Sequence, residues 1–210
     1  RSMWQVFNDF LEISAITISN SVDRANREER EKRYLDIVKT YDESEVDLFA
    51  DMFSKLVLQL EENDSNGELD DVLGRLFHDL ELHNKWKGQF FTPMNICNTM
   101  SEMTVGNCDE IIEKKGYITV CEPTVGSGAM VLGMANALKK KGYNYQNHMV
   151  VTAIDNDIKC VHMAYIQFAL HGIPAIVVHG DSLTAEQWST WYTPMYVWNR
   201  ISGRIREVRK

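Results

Sequence analysis

Tyr117-Ile118-Thr119-Val120-Cys121-Glu122-Pro123-Thr124-Val125-Gly126-Ser127-Gly128-Ala129 is the stretch that decides the fold. Its first five residues are apolar and rich in β-branched side chains, bounded by Gly116 and Pro123, which is the composition of a buried strand. A glycine-rich turn then hands over to residues 129–141, apolar at helical period and closed by Gly142. Further on the rhythm repeats. Residues 148–154 form a second buried strand, residues 158–170 a helix stopped by Gly172 and Pro174, and residues 175–178 a third strand. Strand, helix, strand, helix, strand, with strands apolar throughout, predicts parallel pairing through right-handed crossovers. The expected fold is therefore α/β, a doubly wound and mainly parallel sheet. Met195-Tyr196-Val197-Trp198 is expected as a fourth strand.

Toward the N-terminus the pattern is helical. Trp4, Phe7, Leu11, Ala15 and Ile18 recur at three- and four-residue steps, and residues 34–60 resume that period. The charge-dense stretch 24–32 between them reads as a solvated helix face or a connection. A polar run over 61–67 ends one helix, and Asp70-Asp71 opens a short one with acids at its favourable end. The expected organisation is a helical region over 1–87 followed by the α/β domain over 88–210.

Composition narrows the class. With 210 residues, 44% hydrophobic and 25% charged, the chain suits one ordinary globular domain, or one domain carrying a small appendage, and wholesale disorder or collagen-like repeats are excluded. No apolar run approaches the roughly 18 residues that cross a bilayer, and Asn8, Asp9 and Glu12 interrupt any apolar signal core near the start. Four widely spaced cysteines without a C-x-x-C pair read as free thiols of a cytoplasmic chain, with no metal site expected. The net charge of −8 argues against uniform nonspecific nucleic-acid binding, although residues 200–210 carry five basic side chains against one acid, Glu207. Such a tail can touch phosphates or simply be solvated.

In sheets of this kind ligands bind beyond the carboxyl ends of the strands, where strand order reverses. Three clusters fall there: Glu122 through Gly128, Asp155, and Asp181 within His179-Gly180-Asp181-Ser182. Gly126 and Gly128 let a ligand lie against bare main chain, and the following helix points free amides at a carboxylate or phosphate. Asp155 can take both hydroxyls of a ribose, and Asp181 the amino group of an adenine. A dinucleotide fingerprint needs a third small residue and an acid about 20 residues on. Here Val131 occupies that place and Asp155 lies 27 positions past Gly128. A phosphate-cradling loop needs Gly-Lys-Ser/Thr, and no lysine stands between Cys121 and Leu138. S-adenosylmethionine, with a carboxylate, a ribose and an adenine but no phosphate, is the better ligand.

These segments resemble the modification subunits of type I restriction systems and related adenine-specific DNA methyltransferases. The resemblance rests on Asp71-Val72-Leu73-Gly74, Gly88-Gln89-Phe90-Phe91-Thr92-Pro93, Glu122 to Gly128, Asp155 through Ile173, and His179 to Leu183, in the family's order over roughly residues 70–185. It implies the methyltransferase fold after an N-terminal helical segment, S-adenosylmethionine as cofactor, and DNA and restriction-modification proteins as partners. By position it implies Phe91, Thr92 and Pro93 at the methionine end of the cofactor. Glu122, Gly126 and Gly128 would form its floor, Asp155 would bind the ribose and Asp181 the adenine, with Thr124, Asn156 and Ser182 as further cofactor-binding residues.

One family element is missing. Adenine methyltransferases carry Asn/Asp-Pro-Pro-Tyr/Phe after the fourth strand, where it accepts hydrogen bonds from the target amino group and stacks on the flipped base. Here no two of the four prolines are adjacent, and Asn199-Arg200-Ile201-Ser202 stands at the expected place, leaving Asn199 as a catalytic candidate. Two functions follow: an S-adenosylmethionine-dependent adenine-specific DNA methyltransferase, or a cofactor-binding regulatory module that has lost methyl transfer. Methylation of a protein or small molecule is a third, since the fold does not fix the acceptor. Other features have plain structural readings. His162 and His171 read as packing or surface residues, Met100, Met103, Met130, Met134 and Met163 as core filler, and Trp188, Trp191, Tyr192 and Trp198 as a hydrophobic cover or partner interface.

Overall fold

A computed structural model describes residues 1–80 and 91–205. Gly88, Gln89 and Phe90 of the family string, the boundary expected between 87 and 88, and Arg206, Arg209 and Lys210 of the basic tail lie outside the described residues.

The helical start comprises α1 (Met3–Asn20), α2 (Arg27–Val38), α3 (Glu43–Ser65) and α4 (Val72–Asp79). The single helical period expected over 34–60 is divided between α2 and α3, because Asp42 opens a new helix: its amide donates to Glu45 Oε2 at 2.9 Å, half of a capping box. The charged stretch 24–32 is helical from Arg27 and is not wholly solvated. Arg30 turns inward, donating to Ser19, to Asp23 at 2.7 Å and to the Thr190 carbonyl at 2.9 Å, with its guanidinium 4.0 Å above the Trp191 ring. Burying this cation is tolerable because its donors are matched by a carboxylate, a hydroxyl and a carbonyl.

The second half runs α5 (Met94–Val105), α6 (Cys108–Lys115), β1 (Ile118–Glu122), α7 (Ala129–Lys140), α8 (Tyr145–His148), β2 (Met149–Asp155), α9 (Ile158–Leu170), β3 (Ala175–Asp181), β4 (Glu186–Tyr192) and α10 (Pro194–Ile201). The strands pair in the order β1-β2-β3-β4, the first three parallel and β4 antiparallel to β3. The α/β sheet is thus mainly parallel, as expected, and its order does not reverse among the described strands. Right-handed crossovers in one direction put α7 and α9 on one face. Met149, Val151 and Ala153 are buried there, while Val150, Thr152 and Ile154 on the alternate face remain partly accessible. A second helical layer follows, α5 against α7 and α1 against α9. At Gly133 a Cβ would lie 2.9 Å from the Cys97 main chain, so the α5–α7 crossing depends on that glycine.

The fourth strand is not where the sequence suggested. Residues 195–198 belong to α10, whose start is set by Thr193: its Oγ1 accepts from the Tyr196 amide at 3.4 Å, and Pro194 occupies the first turn. The strand is instead Glu186–Tyr192, returning antiparallel after a bulge between His179 and Gly180. Gly180 is required for that return, since a Cβ there would sit 2.3 Å from the Glu186 carbonyl oxygen.

The core joins both halves of the chain, from Phe10, Leu11 and Leu73 to Leu132, Tyr165 and Phe168. Met134 and Met163 lie in it, whereas Met100 and Met103 are 49% and 80% exposed on the outer face of α5, not core filler. His162 and His171 are both buried. Of the late aromatics Trp191 is buried, while Trp188 and Trp198 stay open to solvent.

Candidate functional site

The bend after β1 is built from main chain in left-handed conformation. Gly126 has φ +56° and Gly128 φ +106°, values that side-chain-bearing residues adopt at a cost. A Cβ on Gly126 would fall 3.1 Å from the Phe91 ring, and one on Gly128 2.7 Å from the Phe168 ring. The bend therefore lies between two aromatic side chains, one from each half of the chain. Phe91 is fixed from behind: its amide donates to His78 Nε2 at 3.1 Å, and its ring packs on Phe77 at 5.2 Å between centroids. Thr92 and Pro93 are exposed and lead into α5.

The loop is clamped from the neighbouring strand. The Gly126 amide donates to Asp155 Oδ2 at 2.9 Å, and the Val125 amide to the Ile154 carbonyl at 2.8 Å. Asp155 Oδ1 accepts from the Asp157 amide at 2.9 Å. Burial pushes the Asp155 carboxyl above the usual carboxylate range, opposed by these backbone amides. A carboxylate has about four acceptor sites, so Asp155 can accept from a ligand hydroxyl in addition to these amides. Asn156 beside it is exposed.

Glu122 is half-buried at the end of β1, its Oε1 accepting from the amide and hydroxyl of Thr124 at 3.2 and 3.4 Å. Asp181 Oδ1 accepts from the amides of Leu183 and Thr184 at 2.8 and 3.3 Å, an Asx turn. Its Oδ2 has no protein partner among the described residues. Ser182 follows it, half-buried. The α7 N-terminus after Gly128 has no side-chain cap, so its first amides face the bend uncapped by the chain itself.

Asn199 is not part of this cluster. It is buried in α10, and its Nδ2 donates to the Gln146 carbonyl at 3.0 Å, ahead of the first residue of β2. The bend and Asp155 sit at the other end of that seven-residue strand, about 20 Å away at the usual rise per residue. The expectation that Asn199 ends a strand beside the cofactor residues is overturned, because the segment carrying it is capped into a helix.

Three residues packed at the bend were not among the site residues expected from the sequence. Asp71, Ser127 and Gln167 are each almost fully buried and hydrogen-bonded to one another. Asp71 belongs to a segment recognisable in the sequence, but its partners lie 56 and 96 positions away. Nothing local could reveal them.

No curated protein matches the chain. Among solved structures, a protein of Listeria monocytogenes assigned to the class I S-adenosylmethionine-dependent methyltransferases is 16% identical, with 86% of this chain and 52% of that one covered at a TM-score of 0.40. The chain thus spans about half the length of that protein. The family profile described as N-6 DNA Methylase matches residues 62–199, more than half of the chain, from the end of α3 to α10, and the chain belongs to that family.

Proposed function

We propose that the chain binds S-adenosylmethionine at the carboxyl ends of β1, β2 and β3 and serves the methylation of adenine in DNA within a restriction-modification type system. The observation that carries this reading is the Gly126–Gly128 bend held by Asp155. It brings bare main chain and uncapped helix amides after β1 together with a carboxylate from the end of β2. Phe91, Gly126 and Gly128 would line the methionine end, Asp155 would hold the ribose hydroxyls, and Asp181 Oδ2 is available to an amino group. Thr92, Pro93, Glu122, Thr124, Asn156 and Ser182 complete the proposed lining. When bound, the cofactor supplies an electrophilic methyl group on a sulfonium. The residues here bind and orient it, and positioning of the acceptor is the main source of rate in such a transfer.

A second reading has one observation in its favour. The described residues hold no Asn/Asp-Pro-Pro-aromatic turn, and Asn199 bonds to Gln146 at the far end of β2. On that reading the chain keeps the cofactor and contributes binding or regulation, without methyl transfer of its own. Calorimetry with S-adenosylmethionine and its demethylated product, followed by transfer of labelled methyl to unmethylated duplex DNA, tests both. Heat with label on adenine supports the enzyme, heat without label supports the binding module, and no heat with either nucleoside overturns the site.

A further inference from the structure

Ser127 is the middle residue of the glycine bend, and its hydroxyl and carbonyl are both bonded within the protein. Its hydroxyl donates to Asp71 Oδ2, and its carbonyl accepts from Gln167 Nε2 at 2.8 Å. The same Gln167 nitrogen donates to Asp71 Oδ1 at 2.9 Å, and Gln167 Oε1 accepts from the Leu73 amide at 3.2 Å. Asp71 Oδ1 also caps α4 through the Gly74 amide at 2.9 Å. All three side chains are 4% exposed or less. There is no slack around them: a Cβ on Gly74 would lie 2.0 Å from Asp71 Oδ2 and 2.6 Å from Ser127 Oγ.

A buried carboxylate is costly unless its lone pairs are met. The neighbouring Asp70 pairs with Arg75 at 2.7 Å, but Asp71 has no ion pair among the described residues. Hydrogen bonds alone hold it. Capping α4 uses one oxygen; the other is turned to Ser127 across 56 positions of sequence. Capping the helix needs only the first. We infer that Asp71 is a positioning residue for the cofactor bend, acting through Ser127 and braced by Gln167, so that the N-terminal helical region forms part of the binding site. This role rests on the cofactor reading proposed above. Asp71 and Gln167 set the direction in which the Gly126 and Gly128 main chain faces, and Asp155 holds the same bend through the Gly126 amide.

The test compares wild type, Asp71→Asn, Ser127→Ala and the double variant, each judged folded by circular dichroism at a temperature well below its melting point. Affinity for S-adenosylmethionine is measured by calorimetry, and exchange of the Gly126, Ser127 and Gly128 amides by NMR without ligand. Positioning predicts at least a tenfold loss of affinity in each single variant, with little further loss in the double variant. It also predicts at least tenfold faster exchange in the bend, with Leu138 in α7 unchanged. If wild type binds and the folded variants lose neither affinity nor bend protection, Asp71 is only a helix cap and the inference is overturned. If wild type binds no S-adenosylmethionine, the cofactor reading fails and the positioning role falls with it, whereas loss of neither readout in the variants of a binding wild type overturns the role alone. Should Asp71→Asn not fold, Ser127→Ala carries the same pair of readouts.

Discussion

Asp155 accepts a hydrogen bond from the main-chain amide of Gly126 at 2.9 Å, so the end of β2 holds the bend that follows β1. One carboxylate therefore shapes the loop and faces the proposed ribose position. Removing it acts on both. Asp155→Ala is expected to lower S-adenosylmethionine affinity at least about tenfold, since each hydrogen bond to a charged group contributes about 1.5–3 kcal/mol. Calorimetry on a variant with an unaltered circular dichroism spectrum checks this, and unchanged affinity would remove Asp155 from the site.

Gly128 and Gly116 separate backbone strain from steric conflict. Both have positive φ, +106° and +87°, but a Cβ on Gly116 meets nothing within 4 Å while one on Gly128 meets the Phe168 ring at 2.7 Å. Gly116→Ala is expected to cost about 1 kcal/mol and Gly128→Ala about 2–3 kcal/mol, the excess coming from displacement of Phe168. Urea unfolding of the two variants side by side measures the difference.

His162 and His171 give the fold a dependence on mild acid. Burial pushes His162 down to about 3 and His171 down to about 4, and neither Nε2 has a hydrogen-bond partner among the described residues. Unfolded, each takes up a proton near its ordinary value of about 6.5. The unfolded state thus binds more protons below that pH, and stability falls as pH drops from about 6.5 toward 4, by up to about 1.4 kcal/mol per unit for each histidine. His162→Leu is expected to flatten the slope between pH 6.5 and 5 relative to wild type, as read from urea midpoints.

Asn136 joins the α3–α4 connection to α7. Its Oδ1 accepts from the Leu69 amide and its Nδ2 donates to the Leu69 carbonyl, both at 2.8 Å, with Leu69 1% exposed. Asn136→Ala leaves both main-chain groups buried and unpaired, at about 1–3 kcal/mol each. A loss of about 2–5 kcal/mol in denaturant unfolding is expected. A loss under about 0.5 kcal/mol would mean that this connection opens readily to water.

The three parallel strands, α7 and α9 were legible because each is a contiguous apolar run or a helical period ended by glycine or proline. The Ile158–Leu170 helix matches its expected limits. Expectation failed where the deciding partner is remote or the local signal ambiguous. Residues 195–198 are apolar enough for a strand, and the cap at Thr193 made them a helix. The true β4 mixes polar residues with aromatics, without a clean alternation, at the sheet edge, and Gly180, read as part of a ligand motif, also makes room for its return. Met100 and Met103 have core composition but lie on the face of α5 turned away from α7.

By itself the sequence determined the α/β order, the glycine bend and the acids at the strand ends, because these depend on local periodicity and on residues close together in the chain. Only the tertiary structure decided how they are held. The Asp71–Ser127–Gln167 cluster, the Asp155–Gly126 clamp and the removal of Asn199 to the far end of β2 all depend on which buried donors and acceptors find each other. A buried polar group must be satisfied wherever a partner is found, and that partner is chosen by packing rather than by distance along the chain.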